Sequence, residues 1–192
     1  MNYKYSQYVE DNAAIHNYDY TLLNRIDPYN HTDDVIRWVT GTIDGAIANA
    51  QNVRDIDTNV RKYNAWKNAI LAYLDPKSAR YGKNWGLVCA AYGSAVEEYI
   101  NIEVRSISYP HSSEFLVILQ KREEGTIPDI RISLKHSDKH GNPLITEVAW
   151  LDITSEKSIC HIHKKKGSGW DEMPIVAEIV YPPLKVETLL LP

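Results

Sequence analysis

The sequence predicts an α/β (α+β) protein whose core follows the order α-β-β-β-α-β, with a mixed four-stranded sheet and a helical hairpin in front of it. Three observations lead to this prediction. Apolar residues recur at helical spacing along two segments between about residues 32 and 74, and again along 86–104. Apolar and polar residues alternate on both sides of a polar turn at 136–143. A last apolar segment, 174–181, follows a basic stretch and a glycine-containing turn.

The composition is that of a globular chain without a strong electrostatic bias. Of its 192 residues, 44% are hydrophobic and 24% are charged, and the net charge is −4. This balance argues against a general electrostatic binder of nucleic acid, so any such contact must come from a local patch. Cys89 and Cys160 are too few for a disulfide framework. We expect neither a membrane span nor a signal peptide, because no apolar run is long enough and the first residues are polar and tyrosine-rich.

Residues 1–80 are expected to form a mostly helical N-terminal extension. Its first 30 residues show no clean period and are predicted to be a loosely ordered arm. A first helix is capped within Thr32–Asp34 and runs to Gln51, and a second spans about Asp57–Leu74, where an Asp-Pro pair ends it. This hairpin carries no recognisable chemistry, so packing or partner docking is its expected role.

Residues 81–192 are expected to form the core domain. Its first helix, GLVCAAYGSAVEEYINIEV, has a broad apolar face that is interrupted by Glu97 and Glu98, where a helix normally carries few charges. Cys89 lies on this helix without a nearby base in sequence and is interpreted as a core residue. A strand is predicted at Glu114–Gln120.

The next two predicted strands and their turn carry the candidate chemistry. If they pair antiparallel about Lys139–Asn142, residue i faces residue 281 − i, and Asp129 lies opposite Asp152. Because side chains alternate along a strand, both carboxylates point away from the apolar face of the hairpin. Two facing carboxylates repel each other, and a divalent cation with oxygen ligands relieves that repulsion. The competing interpretation is two solvated aspartates at strand ends.

A basic segment follows the hairpin. Ser155–Lys166 is predicted to be a short helix that ends at Gly167–Gly169. One face of this helix would carry a set of cations at spacings of i, i+4, i+7 and i+8, which is either a functional site or a solvated surface. The set is Lys157, His161, Lys164 and Lys165. A zinc or thiol site on Cys160-His161-Ile162-His163 is a weaker alternative, because the spacing does not put three ligands on one helical face.

This order of elements and these residues resemble the PD-(D/E)XK nuclease superfamily, a restriction-endonuclease-like fold built from a helix, a three-stranded meander, a helix and a fourth strand. The resemblance covers roughly Gly86–Tyr181, about half of the chain. Gly93-Ser94-Ala95-Val96-Glu97 matches the first-helix motif, Pro128-Asp129 matches the "PD", and Asp152-Ile153-Thr154 takes the place of the (D/E)-x-K element. The segments EVAWLDITSEKS and HIHKKKGSGW are most similar to nuclease domains at the C-termini of bacterial polymorphic and contractile-system toxins.

The resemblance implies a Mg²⁺- or Mn²⁺-dependent endonuclease, a phosphodiester hydrolase for which DNA is favoured over RNA. It implies that Asp129 and Asp152 bind the metal together with Glu97, with Glu98 the next candidate for the third acid. The family's lysine is replaced here by Thr154, so Lys157 is the candidate catalytic lysine.

Nucleic-acid contacts are expected downstream of these residues. Lys164, Lys165 and Lys166 are expected to meet backbone phosphates, with Gly167–Gly169 allowing close approach. Trp170 is a candidate for stacking on a base, with core packing as the alternative.

The resemblance also implies a biological setting. It suggests a bacterial toxin or effector domain that is delivered by a secretion or injection system, acts in the target-cell cytoplasm and is blocked by a cognate immunity protein, with no membrane partner. Two alternatives stay open: an RNA- or tRNA-cleaving toxin on the same fold, and a non-enzymatic interaction protein that works through its helical hairpin. No Walker A loop, dinucleotide glycine motif or Ser-His-Asp signature favours another enzyme class.

Overall fold

The computed structural model describes residues 13–52, 59–106, 108–119, 128–155, 169–182 and 184. Their elements are β1 (Ala13–Tyr18), α1 (Tyr20–Ile26), α2 (His31–Gln51), α3 (Arg61–Leu74), α4 (Trp85–Ser106), β2 (Phe115–Leu119), β3 (Ile130–Ser137), β4 (Pro143–Ser155), a 3₁₀ turn (Trp170–Glu172) and β5 (Ile175–Tyr181). The chain divides into two compact units. The first comprises Met1–Thr40 and Ile107–Tyr181, and the second comprises Gly41–Ser106 and Pro182–Pro192. These units do not follow a boundary at residue 80, because α4 belongs to the helical second unit.

The first unit contains a mixed five-stranded sheet in the order β1-β5-β4-β3-β2. Strands β2, β3 and β4 form an antiparallel meander, β5 runs parallel to β4, and β1 is antiparallel to β5. The predicted mixed α/β class is therefore confirmed, but the sheet has five strands where four were predicted, because β1 pairs with β5. One face of the central strands is apolar and buried, as the alternation predicted; its members in β3 and β4 are Ile130, Ile132, Ala149, Leu151 and Ile153.

The prediction of a loosely ordered arm is wrong for residues 13–26, which form β1 and α1. The strand extends the sheet by pairing with β5, and its register shifts between Ile15 and Asn17. The helix begins after Asp19, whose side chain accepts a hydrogen bond from the Thr21 N–H at 2.8 Å. The sequence AAIHNY does not alternate cleanly, so the pairing with β5 determines this strand where its own periodicity does not.

The β3–β4 hairpin contains a one-residue bulge that sets the position of its carboxylates. On the side of Asp129, pairs such as Ile130 with Leu151 follow the predicted rule of i with 281 − i. On the turn side, pairs such as Ser137 with Pro143 follow i with 280 − i. The extra residue, Val148, lies between the two registers and restores the predicted pairing where the hairpin approaches the two aspartates.

Asp138 organises the hairpin turn. Its carboxylate accepts hydrogen bonds from the backbone N–H groups of His140 and Asn142 at 2.8 and 2.9 Å, and from the Asn142 side-chain amide at 2.9 Å. The Asn142 side chain and then its backbone N–H lower the pKa of Asp138 below its ordinary value of 3.8. Gly141 completes the turn with a φ of 83°, a conformation that glycine adopts without a steric penalty.

Asp138→Ala is expected to lower the free energy of unfolding, because the turn loses three hydrogen bonds to a carboxylate. Since the pKa is lower in the folded state, the contribution of the charged group is complete above about pH 3.8 and disappears as the pH falls through the folded-state value. Urea unfolding of wild type and variant at pH values above and below 3.8 measures the difference in their free energies of unfolding. A gap in stability that does not narrow in acid would contradict this role of the charged carboxylate.

The second unit is held together by aromatic packing between its helices. Trp66 is fully buried and donates its indole N–H to the carbonyl of Ala50 at 2.8 Å. Tyr63 of α3 stacks on Tyr99 of α4 with ring centroids 3.9 Å apart. The predicted end of α3 at Leu74 and the predicted helix over residues 86–104 are confirmed. No helix among the described residues is both long and apolar enough to span a membrane.

Candidate functional site

Asp129 lies at the start of β3 with its carboxylate anchored to the neighbouring strand. One of its side-chain oxygens accepts a hydrogen bond from the backbone N–H of Ile153 at 2.8 Å. The last regular pair on this side joins Ile130 to Leu151, so the next step along the two strands brings Asp129 opposite Asp152. The preceding Pro128 is buried and has no N–H to satisfy, which suits the entry of the chain into a strand. Asp129 itself is partly exposed.

Asp152 is buried beside a second acidic residue that the sequence analysis missed. Its exposed fraction is 4%, and that of Glu178 on β5 is 0%. The parallel register pairs Asp152 directly with Glu178, so both side chains lie on the same face of the sheet. The sequence did contain a signal for this residue, because Glu178 is the one charged side chain in the otherwise apolar segment PIVAEIVY. The interpretation of Asp152 as a solvated aspartate is wrong, because the side chain is almost completely removed from water.

The three acidic residues lie on three successive strands, with Asp152 in the middle. Neighbouring strands are about 4.8 Å apart, so the backbones of Asp129 and Glu178 are separated by roughly 9.6 Å. Among the described residues, only one group of three or more His, Cys, Asp or Glu has its ligand atoms all within 4.8 Å of one another, and it does not include these acids. Asp152 is therefore the residue that can share a ligand with either neighbour.

A cationic side chain lies on the same face, next to the aspartates. Arg131 follows Asp129 by two residues, which places both on one side of β3. Its guanidinium donates to the Glu147 carboxylate at 2.9 Å, and the other oxygen of Glu147 accepts from the Trp150 indole N–H at 2.8 Å. Because Arg131 and Trp150 are directly paired across the strands, this network holds the arginine one step from the carboxylates.

Trp170 belongs to the core and is not available as a stacking platform. Its exposed fraction is 3%, and its ring meets Trp150 edge to face at a centroid distance of 5.3 Å. Met173 and Val176 complete this small apolar cluster. A base could stack on Trp170 only if the cluster opened. Of the two predicted roles of Trp170, core packing is therefore the one that the structure shows.

The roles of the other predicted site residues stay predictions. Glu97 is partly buried in α4 and belongs to the second unit, so its role as a metal ligand stays a prediction. Thr154, where the resemblance would place a lysine, is 5% exposed on the face that carries Asp152. The basic segment lies outside the described residues. Its predicted site residues are Lys157, Lys164, Lys165 and Lys166, and the alternative zinc or thiol set Cys160–His163 lies there too.

Comparison with known proteins provides no family assignment. No protein-family model matches the chain, and no curated protein or solved structure matches it either.

Proposed function

We propose that this chain is a Mg²⁺- or Mn²⁺-dependent endonuclease of the PD-(D/E)XK type that hydrolyses phosphodiester bonds in DNA. The observation that carries the proposal is the anchoring of the Asp129 carboxylate on the Ile153 N–H, immediately beside Asp152. The resemblance requires its two acids to lie on the second and third strands of a meander. That condition is met here by β3 and β4.

The connection from β4 to β5 supports the same proposal. Two parallel neighbouring strands need a crossover of a dozen or more residues, which is usually a helix. The segment between these strands, residues 156–174, is long enough for such a crossover, and the sequence predicts a short basic helix in it. The resemblance implies the same order: an antiparallel meander of three strands, a crossover, and then a strand parallel to the third strand of the meander.

The donor set fits the proposed metal. Asp129 and Asp152 offer carboxylate oxygens, the ligands that Mg²⁺ and Mn²⁺ prefer. When bound there, the cation supplies Lewis-acid stabilisation of charge on the reacting phosphate. The Ile153 N–H keeps one Asp129 oxygen in position, and the buried Glu178 places a further carboxyl group beside Asp152. Lys157 and Arg131 are the candidate side chains for stabilising charge that develops on the phosphate.

We assign Glu178 as a positioning residue that acts through Asp152. Glu178→Gln keeps the shape of a fully buried side chain and replaces its carboxyl group by a neutral amide, so Asp152 should be held less well for the cation. The Mg²⁺ concentration for half-maximal cleavage should rise by about tenfold, the scale of losing a residue behind a metal ligand. Titration of activity against Mg²⁺ measures this, with Glu172→Gln as an exposed control just before β5. An unchanged Mg²⁺ requirement in a folded Glu178→Gln variant would refute the assignment.

The direct test of the proposed function is an assay on supercoiled plasmid, linear DNA and tRNA, each with Mg²⁺ and with EDTA. Cleavage of both DNA substrates with Mg²⁺ and none with EDTA is the expected result. Cleavage of tRNA alone would favour the RNA-cleaving alternative on the same fold. If all three substrates remain intact, the nuclease proposal fails and an interaction protein is favoured.

The proposal extends to the biological role that the resemblance implies. We propose a bacterial toxin or effector domain that acts after delivery into a target cell and is neutralised by an immunity protein. An inhibitor of this site must screen the acidic residues or block the approach of a phosphate backbone. The toxin role is tested by measuring growth of bacteria that express the chain. Wild type should inhibit growth, whereas Asp152→Asn should not.

A further inference from the structure

A second group of candidate metal ligands lies in the first unit, away from the aspartates. His31 is the first residue of α2, and His111 and Glu114 belong to the turn that leads into β2. Each of the three offers one ligand atom, and these atoms all lie within 4.8 Å of one another. The His31 Nδ1 and the Glu114 carboxylate are already 3.0 Å apart. The two imidazoles are about one quarter exposed, so an ion can reach them from solvent.

This group is separate from the acidic site because the two lie at opposite ends of the same strands. Glu114 immediately precedes Phe115, which pairs with Leu134, whereas Asp129 lies beyond the pair of Leu119 with Ile130. Four residue steps along a strand correspond to about 13 Å. One ion therefore cannot serve both groups.

The donor chemistry of the group differs from that of the aspartates and selects a different metal. Two imidazole nitrogens and one carboxylate oxygen suit zinc and related transition metals, whereas Mg²⁺ prefers oxygen ligands alone. We propose that His31, His111 and Glu114 form a binding site for a divalent transition metal of the Zn²⁺ type. Three protein ligands leave the fourth tetrahedral position for water.

A second carboxylate supports this assignment. The His111 Nε2 lies 3.2 Å from the Asp34 carboxylate. When Nε2–H donates to Asp34, the lone pair of the imidazole is on Nδ1, the nitrogen that then coordinates the metal. A carboxylate that holds the second nitrogen of a ligating histidine is a common arrangement in zinc sites, because it fixes the tautomer and the ring orientation.

The backbone positions of both histidines are held by the fold. Asp27 is buried and accepts hydrogen bonds from the backbone N–H groups of His31 and Thr32 at 3.0 and 2.7 Å, which fixes the first residues of α2. His111 has a φ of 55°, in the left-handed region. The two imidazole rings stack at a centroid distance of 3.8 Å. Tetrahedral ligands at about 2.1 Å from zinc stand roughly 3.4 Å apart, so binding requires the ligand atoms to draw together and one of the stacked rings to turn until both lone pairs point at the ion.

The test is titration of the full chain with ZnCl₂ after treatment with EDTA, by calorimetry and by thermal unfolding. Wild-type protein is expected to bind one equivalent at this site and to unfold at a higher temperature with Zn²⁺. His111→Asn should weaken binding at least tenfold without disturbing the fold, because asparagine tolerates the left-handed backbone but lacks the imidazole. His140→Asn, in the exposed hairpin turn, is the matched control and should bind as wild type does.

The alternative zinc or thiol segment requires its own control. In a chain with Cys160→Ser, His161→Ala and His163→Ala, the Zn²⁺ affinity at the proposed site should be retained. Co²⁺ in place of Zn²⁺ should give a visible absorption spectrum in wild type that is lost in His111→Asn. The proposal is overturned if wild type binds no Zn²⁺, or if His111→Asn binds it as tightly as wild type does. Neither outcome bears on Mg²⁺-dependent cleavage, which the plasmid assay tests separately.

Discussion

Asp152→Asn is expected to lower Mg²⁺-dependent DNA cleavage by at least a thousandfold, equivalent to about 4 kcal/mol of transition-state stabilisation. The substitution keeps the size of a side chain that is 4% exposed and removes the charge that a divalent cation needs. It also replaces one of two neighbouring carboxyl groups by an amide, since Asp152 pairs with the fully buried Glu178. We therefore expect the metal-free variant to be at least as stable as wild type, because an amide beside a carboxyl group avoids the repulsion that two carboxylates would have.

A loss of activity together with unchanged or greater stability is what distinguishes a metal ligand from a structural residue. Supercoiled-plasmid nicking measures the first and thermal unfolding with EDTA measures the second. Asp129→Asn should lose cleavage to the same extent but should also lose some stability, because it weakens the acceptor of the Ile153 N–H. Asp138→Asn, at the far end of the same hairpin, is the control and should cleave normally. Full activity in folded Asp129→Asn and Asp152→Asn would rule out the proposed nuclease site.

The hairpin was the most predictable part of the molecule, and the reason is physical. Alternation of apolar and polar residues determines which face of each strand is buried, and the polar turn limits the register to a few choices. The predicted pairing near Asp129 and Asp152 is correct, but it depends on the bulge at Val148. The alternation around Val148 continues through valine and alanine and contains no signal for an inserted residue. The position of the aspartates therefore follows from a turn register one residue away from the predicted one and from the bulge that compensates for it, and neither was predicted.

The features that the sequence did not reveal all depend on contacts between distant segments. Strand β1 is determined by its pairing with β5, about 160 residues away. Glu178 becomes notable only when the parallel register brings it beside Asp152. The histidine group joins residues 31 and 111, which no local pattern relates. Single-sequence periodicity reports which face of an element is buried, whereas these contacts require the order of the strands in the sheet.

Lys157→Met is expected to lower the rate of the chemical step by about a hundredfold or more, with little effect on DNA affinity. The position at which the proposed nuclease type would carry a lysine is occupied by Thr154, which is buried and carries no charge. β4 ends at Ser155, so Lys157 is the first lysine of the crossover, two residues beyond the strand that carries Asp152. Methionine keeps most of the apolar stem of lysine and removes the ammonium group. The expected loss is that of one oriented group that stabilises developing charge.

The matched controls are Lys164→Met and Lys165→Met, which make the same chemical change further along the basic segment. If these lysines contact backbone phosphates, each substitution should weaken DNA binding and flatten its salt dependence, while the rate at saturating DNA stays close to wild type. Single-turnover cleavage and binding measured over a range of salt concentrations separate the two effects. Normal single-turnover cleavage by Lys157→Met would remove Lys157 from the mechanism. Arg131, held beside Asp129 by Glu147, would then be the charge to test next, with Arg131→Met measured in the same assay.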